Sequence, residues 1–192
     1  MYRTFHKLLL ALALMLPCAA SHGQGRVLAG TLHSPKGVGA TVLLHARNGR
    51  EMDIFTLRTD FYGLLDGRTR DVGGCFTYSH DYLLWDQDRE DYRLRLHAGA
   101  GGMLGYVHDF EKGFFSATDR RLLRNPGAMA SVTGNVGLCV DFGNRLSLDL
   151  SFTVAPGVHL RTDHKTGALL VSFYNNGVFQ SYVPQFNLMY RF

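Results

Sequence analysis

RLSLDLSFTV, residues 145–154, alternates without a break: Leu146, Leu148, Leu150, Phe152 and Val154 share one parity, and Arg145, Ser147, Asp149, Ser151 and Thr153 share the other. Successive side chains of an extended chain point to opposite faces, so this period of two predicts a strand with one apolar and one polar face. The fold turns on which face lies inside. In a soluble sandwich the leucines fill a core; in a membrane barrel they meet hydrocarbon and Asp149 lies within.

The same pattern recurs along the chain. VGATVLLHAR (38–47) sets Val38, Ala40, Val42 and Leu44 against Thr41, His45 and Arg47, with Leu43 the exception on the polar side. Asn48-Gly49 follows at once and predicts a two-residue hairpin turn. DIFTLRTDFYGLL (53–65) opposes Phe55, Leu57 and Phe61 to Thr56, Arg58 and Asp60; VGGCFTYSHDYLLW (72–85) opposes Phe76, Tyr78 and Tyr82 to Cys75, Ser79 and Asp81. In DYRLRLHAGAGGMLGYVHD (91–109), Tyr92, Leu94 and Leu96 face away from Arg93, Arg95 and His97, and the cluster Gly99, Gly101, Gly102 and Gly105 predicts a bend or bulge. AMASVTGNVGLCVDF (128–142), ALLVSFY (168–174) and YVPQFNLMYRF (182–192) complete the set. That makes about eight strands joined as sequential hairpins, with no helix-period segment long enough to cover a sheet.

Composition agrees with a turn-rich β chain. Glycine numbers 22 of 192 residues, aromatics make up 12%, and charged residues only 19%, below the roughly 25% usual in soluble domains. The opening MYRTFHKLLLALALMLPCAASHGQ reads as an export signal: Arg3 and Lys7, a short apolar run from Leu8 to Leu16, then small residues before a cut ahead of Gln24. That run is about half the roughly 20 residues a spanning helix needs. Setting Arg3 and Lys7 aside lowers the formal charge from +4 to +2, too little and too scattered for a nucleic-acid surface. The expected organisation is a signal peptide over 1–23, a lead-in over 24–36 and a barrel domain over 37–192.

The polar parity collects Arg58, Asp60, Asp81, Arg93, Arg95, His97, Asn135, Asp141, Asp149, Gln185, Asn187 and Arg191. An eight-stranded interior is narrow and just holds side chains, so a lining of Phe, Tyr and Leu crowds it. The inverse has fewer difficulties: apolar residues in lipid, both signs of charge meeting inside as a plug. Strands of about 10 residues with this alternation are what an outer-membrane barrel requires. Aromatic residues near strand ends (Tyr82, Trp85, Tyr92, Tyr106, Phe142, Tyr182, Tyr190) suit the membrane boundary. The run ending at Phe192 would close the ring, leaving no backbone edge in lipid.

With a signal peptide, alternating strands and the terminal Tyr190-Arg191-Phe192, the chain resembles the small outer-membrane β-barrels of Gram-negative bacteria. The resemblance implies an all-β, closed, antiparallel up-and-down transmembrane barrel of about eight strands. It also implies residence in the outer membrane, contact with its lipids, and recognition of the strand ending at Phe192 by the barrel-insertion machinery. Counting back from a last strand that ends in the periplasm places the 109–127 connection on the periplasmic side, against the rule of short inner turns and long outer loops.

The same residues offer little chemistry. Ser79, His80 and Asp81 are adjacent, yet on a strand His80 points away from its neighbours, and a triad needs convergence. His97 and His159 share the polar parity with Ser147 and Ser151, without a spacing that ties them to a site. No paired-ligand motif for a metal is present. Cys75 and Cys139 lie on strands with one between them, about 10 Å apart and beyond disulfide reach, so two buried free thiols are expected. The long interior residues Arg58, Arg93, Arg95 and Arg191, paired with Asp60, Asp81 and Asp149, leave no room for a wide channel. The reading is therefore a plugged barrel with a structural or interaction role and no catalytic, cofactor or metal residues. A lipid A acyltransferase or deacylase, and a secreted lipocalin-like binder, are the alternatives.

Overall fold

The computed structural model describes residues 26–34, 37–59, 73–107, 127–143, 145–162, 166–173 and 183–192. The expected signal peptide 1–23, Asp60, Phe61, Tyr182 and the body of the 109–127 connection lie outside these residues. Ten strands follow in chain order: β1 (Val27–Ser34), β2 (Gly37–His45), β3 (Glu51–Thr59), β4 (Gly74–Asp88), β5 (Tyr92–Val107), β6 (Gly127–Phe142), β7 (Leu146–Val154), β8 (Gly157–Thr162), β9 (Leu169–Phe173) and β10 (Val183–Arg191).

All pairings are antiparallel. Neighbours run from β1 through β2, β3, β4, β5 and β6 to β7, then to β10, which returns to β1. That circuit is a closed barrel of eight strands, as the alternation implied. β8 and β9 do not add to the ring. β8 continues the line of β7 against β6 in unbroken register, Gly134 opposite Val154 and Ser131 opposite Gly157. Between them Pro156, which has no N–H, still accepts from Val132 N at 3.1 Å. β9 pairs with β8 as β10 pairs with β7, so the two share one position in the ring.

This arrangement corrects the strand assignment in two places. Val27–Ser34, read as part of a lead-in, is a strand paired on both sides, with β2 and with β10. Its alternation is blurred, because Leu28 and Leu32 point inward while Thr31 and His33 point out. Conversely, Leu169–Phe173, within the expected 168–174 strand, extends a ring position rather than adding one. The two errors cancel in the total but reverse the direction of every strand before residue 168. With the ring in place, the short links at 46–50, at 89–91 and between Phe142 and Leu146 share a rim with both ends of the described barrel. The strand ends joined by 60–73 and 108–126 lie at the opposite rim. Apart from the two-residue link 35–36, which joins β1 to β2 at the second rim, short turns lie on one side and long connections on the other, the pattern of an outer-membrane barrel, and the 109–127 anomaly disappears.

The face assignment follows the inverted reading. Asp81, His97, Ser147, Asp149 and Asn187 are buried inside, whereas Leu150, Phe152, Phe186 and Leu188 on the same or neighbouring strands are 39–46% exposed outside. A lipocalin-like cavity needs the apolar parity inward, and it is outward. The interior is not wholly polar, however. Leu28, Leu43, Met52, Ile54 and Met189 form a buried apolar cluster within the ring, with Leu83 against it; the lone exception at Leu43 belongs to this patch.

Two local expectations also change. The Asn48-Gly49 turn is not the two-residue form, either type of which needs positive φ at its first residue; only Gly49, the second, has it, at 67°. The loop runs over 47–50, with Asn48 Oδ1 accepting from Arg50 N and Glu51 N. The glycine cluster of β5 is no bulge: the β4–β5 register is continuous there, and its irregularity falls between Leu83 and Trp85. Gly99 and Gly101 instead let β5 approach β4 closely, since a Cβ on either would overlap β4 backbone.

Candidate functional site

Inside the barrel, ionisable side chains converge from distant parts of the chain. Because the odd-numbered positions of β5, β6 and β7 point inward, their polar residues stack in tiers. The first tier centres on His97, fully buried on β5. Its Nδ1 lies 2.6 Å from Asp81 Oδ2 on β4, and its Nε2 lies 3.0 Å from Asp149 Oδ1 on β7. Asn135 Nδ2 donates to Asp81 Oδ2 at 2.7 Å, and Ser79 Oγ donates to Asp81 Oδ1. On the other side Asn187 Nδ2 donates to Asp149 Oδ2 at 2.9 Å, and Thr41 Oγ1 donates to Asn187 Oδ1 at 2.9 Å. One connected network thus touches β2, β4, β5, β6, β7 and β10. Ionised carboxylates only accept, so with both ionised the two ring nitrogens of His97 both donate and the ring is a cation between two anions.

The second tier sits nearer the turn rim and centres on Asp141. Arg95 Nη2 donates to Asp141 Oδ1 at 2.9 Å, Arg191 Nη2 pairs with Asp141 Oδ2 at 3.0 Å, and Ser147 Oγ donates to Oδ1. Arg95 also crosses the lumen, placing Nη1 2.8 Å from His45 Nε2 on β2. Sequence reasoning paired the arginines with Asp60, Asp81 and Asp149. The structure gives Arg95 and Arg191 to Asp141, Arg93 to Asp86 beside the 89–91 turn, and reserves Asp81 and Asp149 for His97. Asp141 was on the polar parity; its role depends on which strands close together, which parity does not contain.

Glycine makes this packing possible. A Cβ on Gly137 would overlap the His97 ring, and one on Gly99 would meet Asp81 Oδ1. Gly137→Val is therefore expected to displace His97 and expose both carboxylates to each other, lowering stability by about 3 kcal/mol. Gly134→Val, where a Cβ meets nothing within 4 Å, should stay within about 0.5 kcal/mol of the parent. Urea midpoints of the two variants, measured side by side, decide the matter.

The residues weighed for catalysis fall as follows. Ser79 and Asp81 point inward; His80 points out, its Nδ1 2.8 Å from Asp53 Oδ1, which also accepts from Tyr78 OH at 2.9 Å. His159 is buried on β8. A lipid-modifying enzyme would need His97 or His159 beside a serine at the outer rim: both nitrogens of His97 are engaged by carboxylates, while His159 stands opposite Ser172 in the β8–β9 register. Among the described residues no group of three or more His, Cys, Asp or Glu is arranged to hold a metal. Cys75 and Cys139 are buried and form no disulfide.

Around the outer wall, Tyr82, Trp85, Tyr92, Phe142, Tyr190 and Phe192 are exposed towards the turn rim, and Tyr106 lies near the other. Tyr190 and Phe192 meet edge to face with centroids 5.3 Å apart. No helix of the described residues is long and apolar enough to cross a membrane.

No protein-family model and no curated protein matches the sequence. Among solved structures, the chain is similar to a major outer membrane protein from Thermus thermophilus, at 14% identity and a TM-score of 0.51, over 88% of this chain and 98% of that one. At that identity the likeness shows the fold alone.

Proposed function

We propose that this chain is an integral outer-membrane protein whose lumen is plugged by the two polar tiers, with a structural or interaction role and no catalytic step. The observation that carries the reading is the inversion of burial along single strands: on β7, Ser147, Asp149 and Ser151 are at most 5% exposed while Leu146, Leu150 and Phe152 are 41–46% exposed. In water that arrangement hides charge and displays grease. In lipid it is the favourable one, because backbone polar groups are satisfied around a closed ring and apolar side chains meet acyl tails. The aromatic band near the turn rim, the short turns there, and the fold shared with an outer membrane protein add support. Outer-membrane lipids are then its immediate partners. The exposed pair Tyr190 and Phe192 is what the insertion machinery would read.

Arg95 crosses the lumen to His45 and the His97 network reaches six of the eight strands, so the barrel should not pass solutes. Fractionation followed by gel mobility with and without boiling tests the membrane assignment; conductance of the purified protein in planar bilayers tests the plug. A heat-modifiable band in the outer-membrane fraction and no conductance steps are expected. Release with the soluble periplasmic proteins would overturn the assignment, and sustained conductance would overturn the plug.

A further inference from the structure

The outer wall is not uniformly ridged. Between Phe76 and Tyr78 on β4 on one side, and Pro156 just before β8 and Val158 on β8 on the other, lies an apolar groove of about 730 Å³, with Gly102, Leu104, Ala130 and Val132 among its lining residues. Register fixes the geometry: Tyr78, Gly102 and Val132 lie at one level and Phe76, Leu104, Ala130 and Val158 at the next, so the two small residues form a diagonal floor that passes between Leu104 and Val132. The groove lies on the half of the barrel away from the short turns, since Phe76 and Ala130 are near the starts of β4 and β6.

Gly102 points to an occupant. The inward glycines of β5 are required, because a Cβ on Gly99 or Gly101 would strike β4 backbone. Gly102 has no such reason: its φ is not positive, and a Cβ there would meet nothing nearer than Ser131 O, at 3.7 Å. A mid-strand glycine weakens a strand and is a recurrent mark of a site where another molecule approaches closely. Size selects the occupant. Eleven residues line the groove, against the roughly 20–30 a side of a stable protein contact, while its volume falls within the roughly 300–1,000 Å³ of small-molecule sites. The ridges and floor are apolar, which suits a chain of methylenes.

We propose that this groove seats one saturated acyl chain of a membrane lipid in the leaflet nearer the long connections. The inference rests on the membrane assignment above. The test uses the full chain folded into vesicles of dimyristoyl phosphatidylethanolamine and phosphatidylglycerol, where insertion is first confirmed by heat-modifiable mobility. The barrel is then released in mild detergent and weighed by native mass spectrometry. A barrel carrying one phospholipid is expected. In Gly102→Leu/Ala130→Leu, which fills the floor with outward side chains, that fraction should fall about tenfold, the effect of removing contact with roughly two methylenes. Ala40→Leu, outward on β2 and remote from the groove, should leave it unchanged. An equal lipid-bound fraction in the parent and the filled variant overturns the proposal, as does a dimer of the parent that the filled variant abolishes, which would assign the groove to a second copy. Failure to insert would instead strike the membrane assignment itself.

Discussion

His97→Leu is expected to cost about 3–5 kcal/mol, the penalty for removing one partner of a buried ion pair and leaving the rest uncompensated. His97 is the link between Asp81 and Asp149, whose carboxylates are buried on different strands. Without the ring, each keeps its amide donor, Asn135 or Asn187, but the cation between them is gone. Urea unfolding in vesicles, followed through the single tryptophan, Trp85, should show the midpoint falling with little change in slope. A triple change, Asp81→Asn/His97→Gln/Asp149→Asn, keeps hydrogen-bonding groups at all three positions and removes the charges, so it should recover most of the loss. If His97→Leu were as stable as the parent, the tier would be incidental to the fold.

The second large effect separates lipid from water. Leu150 is 46% exposed on β7, between Leu138 of β6 and Phe186 of β10. An arginine on the lipid face near the midplane of a transmembrane barrel costs about 2–4 kcal/mol; on the water-facing wall of a soluble barrel the same change stays within about 0.5 kcal/mol. Leu150→Arg should therefore unfold at markedly lower urea than the parent in vesicles. Arg145→Leu, at the turn rim where a charge has access to water, should shift the midpoint little. A neutral Leu150→Arg in bilayers would mean that this face never meets hydrocarbon.

The interior and exterior of the barrel differ in what a small change can do. On the outer wall the medium adapts to a new side chain, and only polarity is penalised. Inside, eight strands leave room for side chains and little else, so volume matters as much as charge. Gly137 and Gly99 show this directly, since a single methyl on either would displace a member of the His97 tier.

Alternation was legible in the sequence because it is a property of covalent geometry: once a segment is extended, its parity is fixed whatever it pairs with. That sufficed to sort Asp149 from Leu150 and Arg95 from Leu96, and the crowding argument then put the charges inside. It failed at Val27–Ser34, where both faces mix polar and apolar residues, and at Ala155-Pro156-Gly157, which looks like a strand end yet carries the ladder through without a register change. Which side chains meet could not be read at all. Thr41 bonds Asn187 across 146 residues and His97 bonds Asp149 across 52, and such pairs come together only when β10 closes on β1 and sets the stagger of every strand. The assignment of Asp141 to two arginines, the imidazole between two carboxylates and the groove on the outer wall all depend on that closure. Parity is written locally, one residue at a time; partnership is decided by the ring.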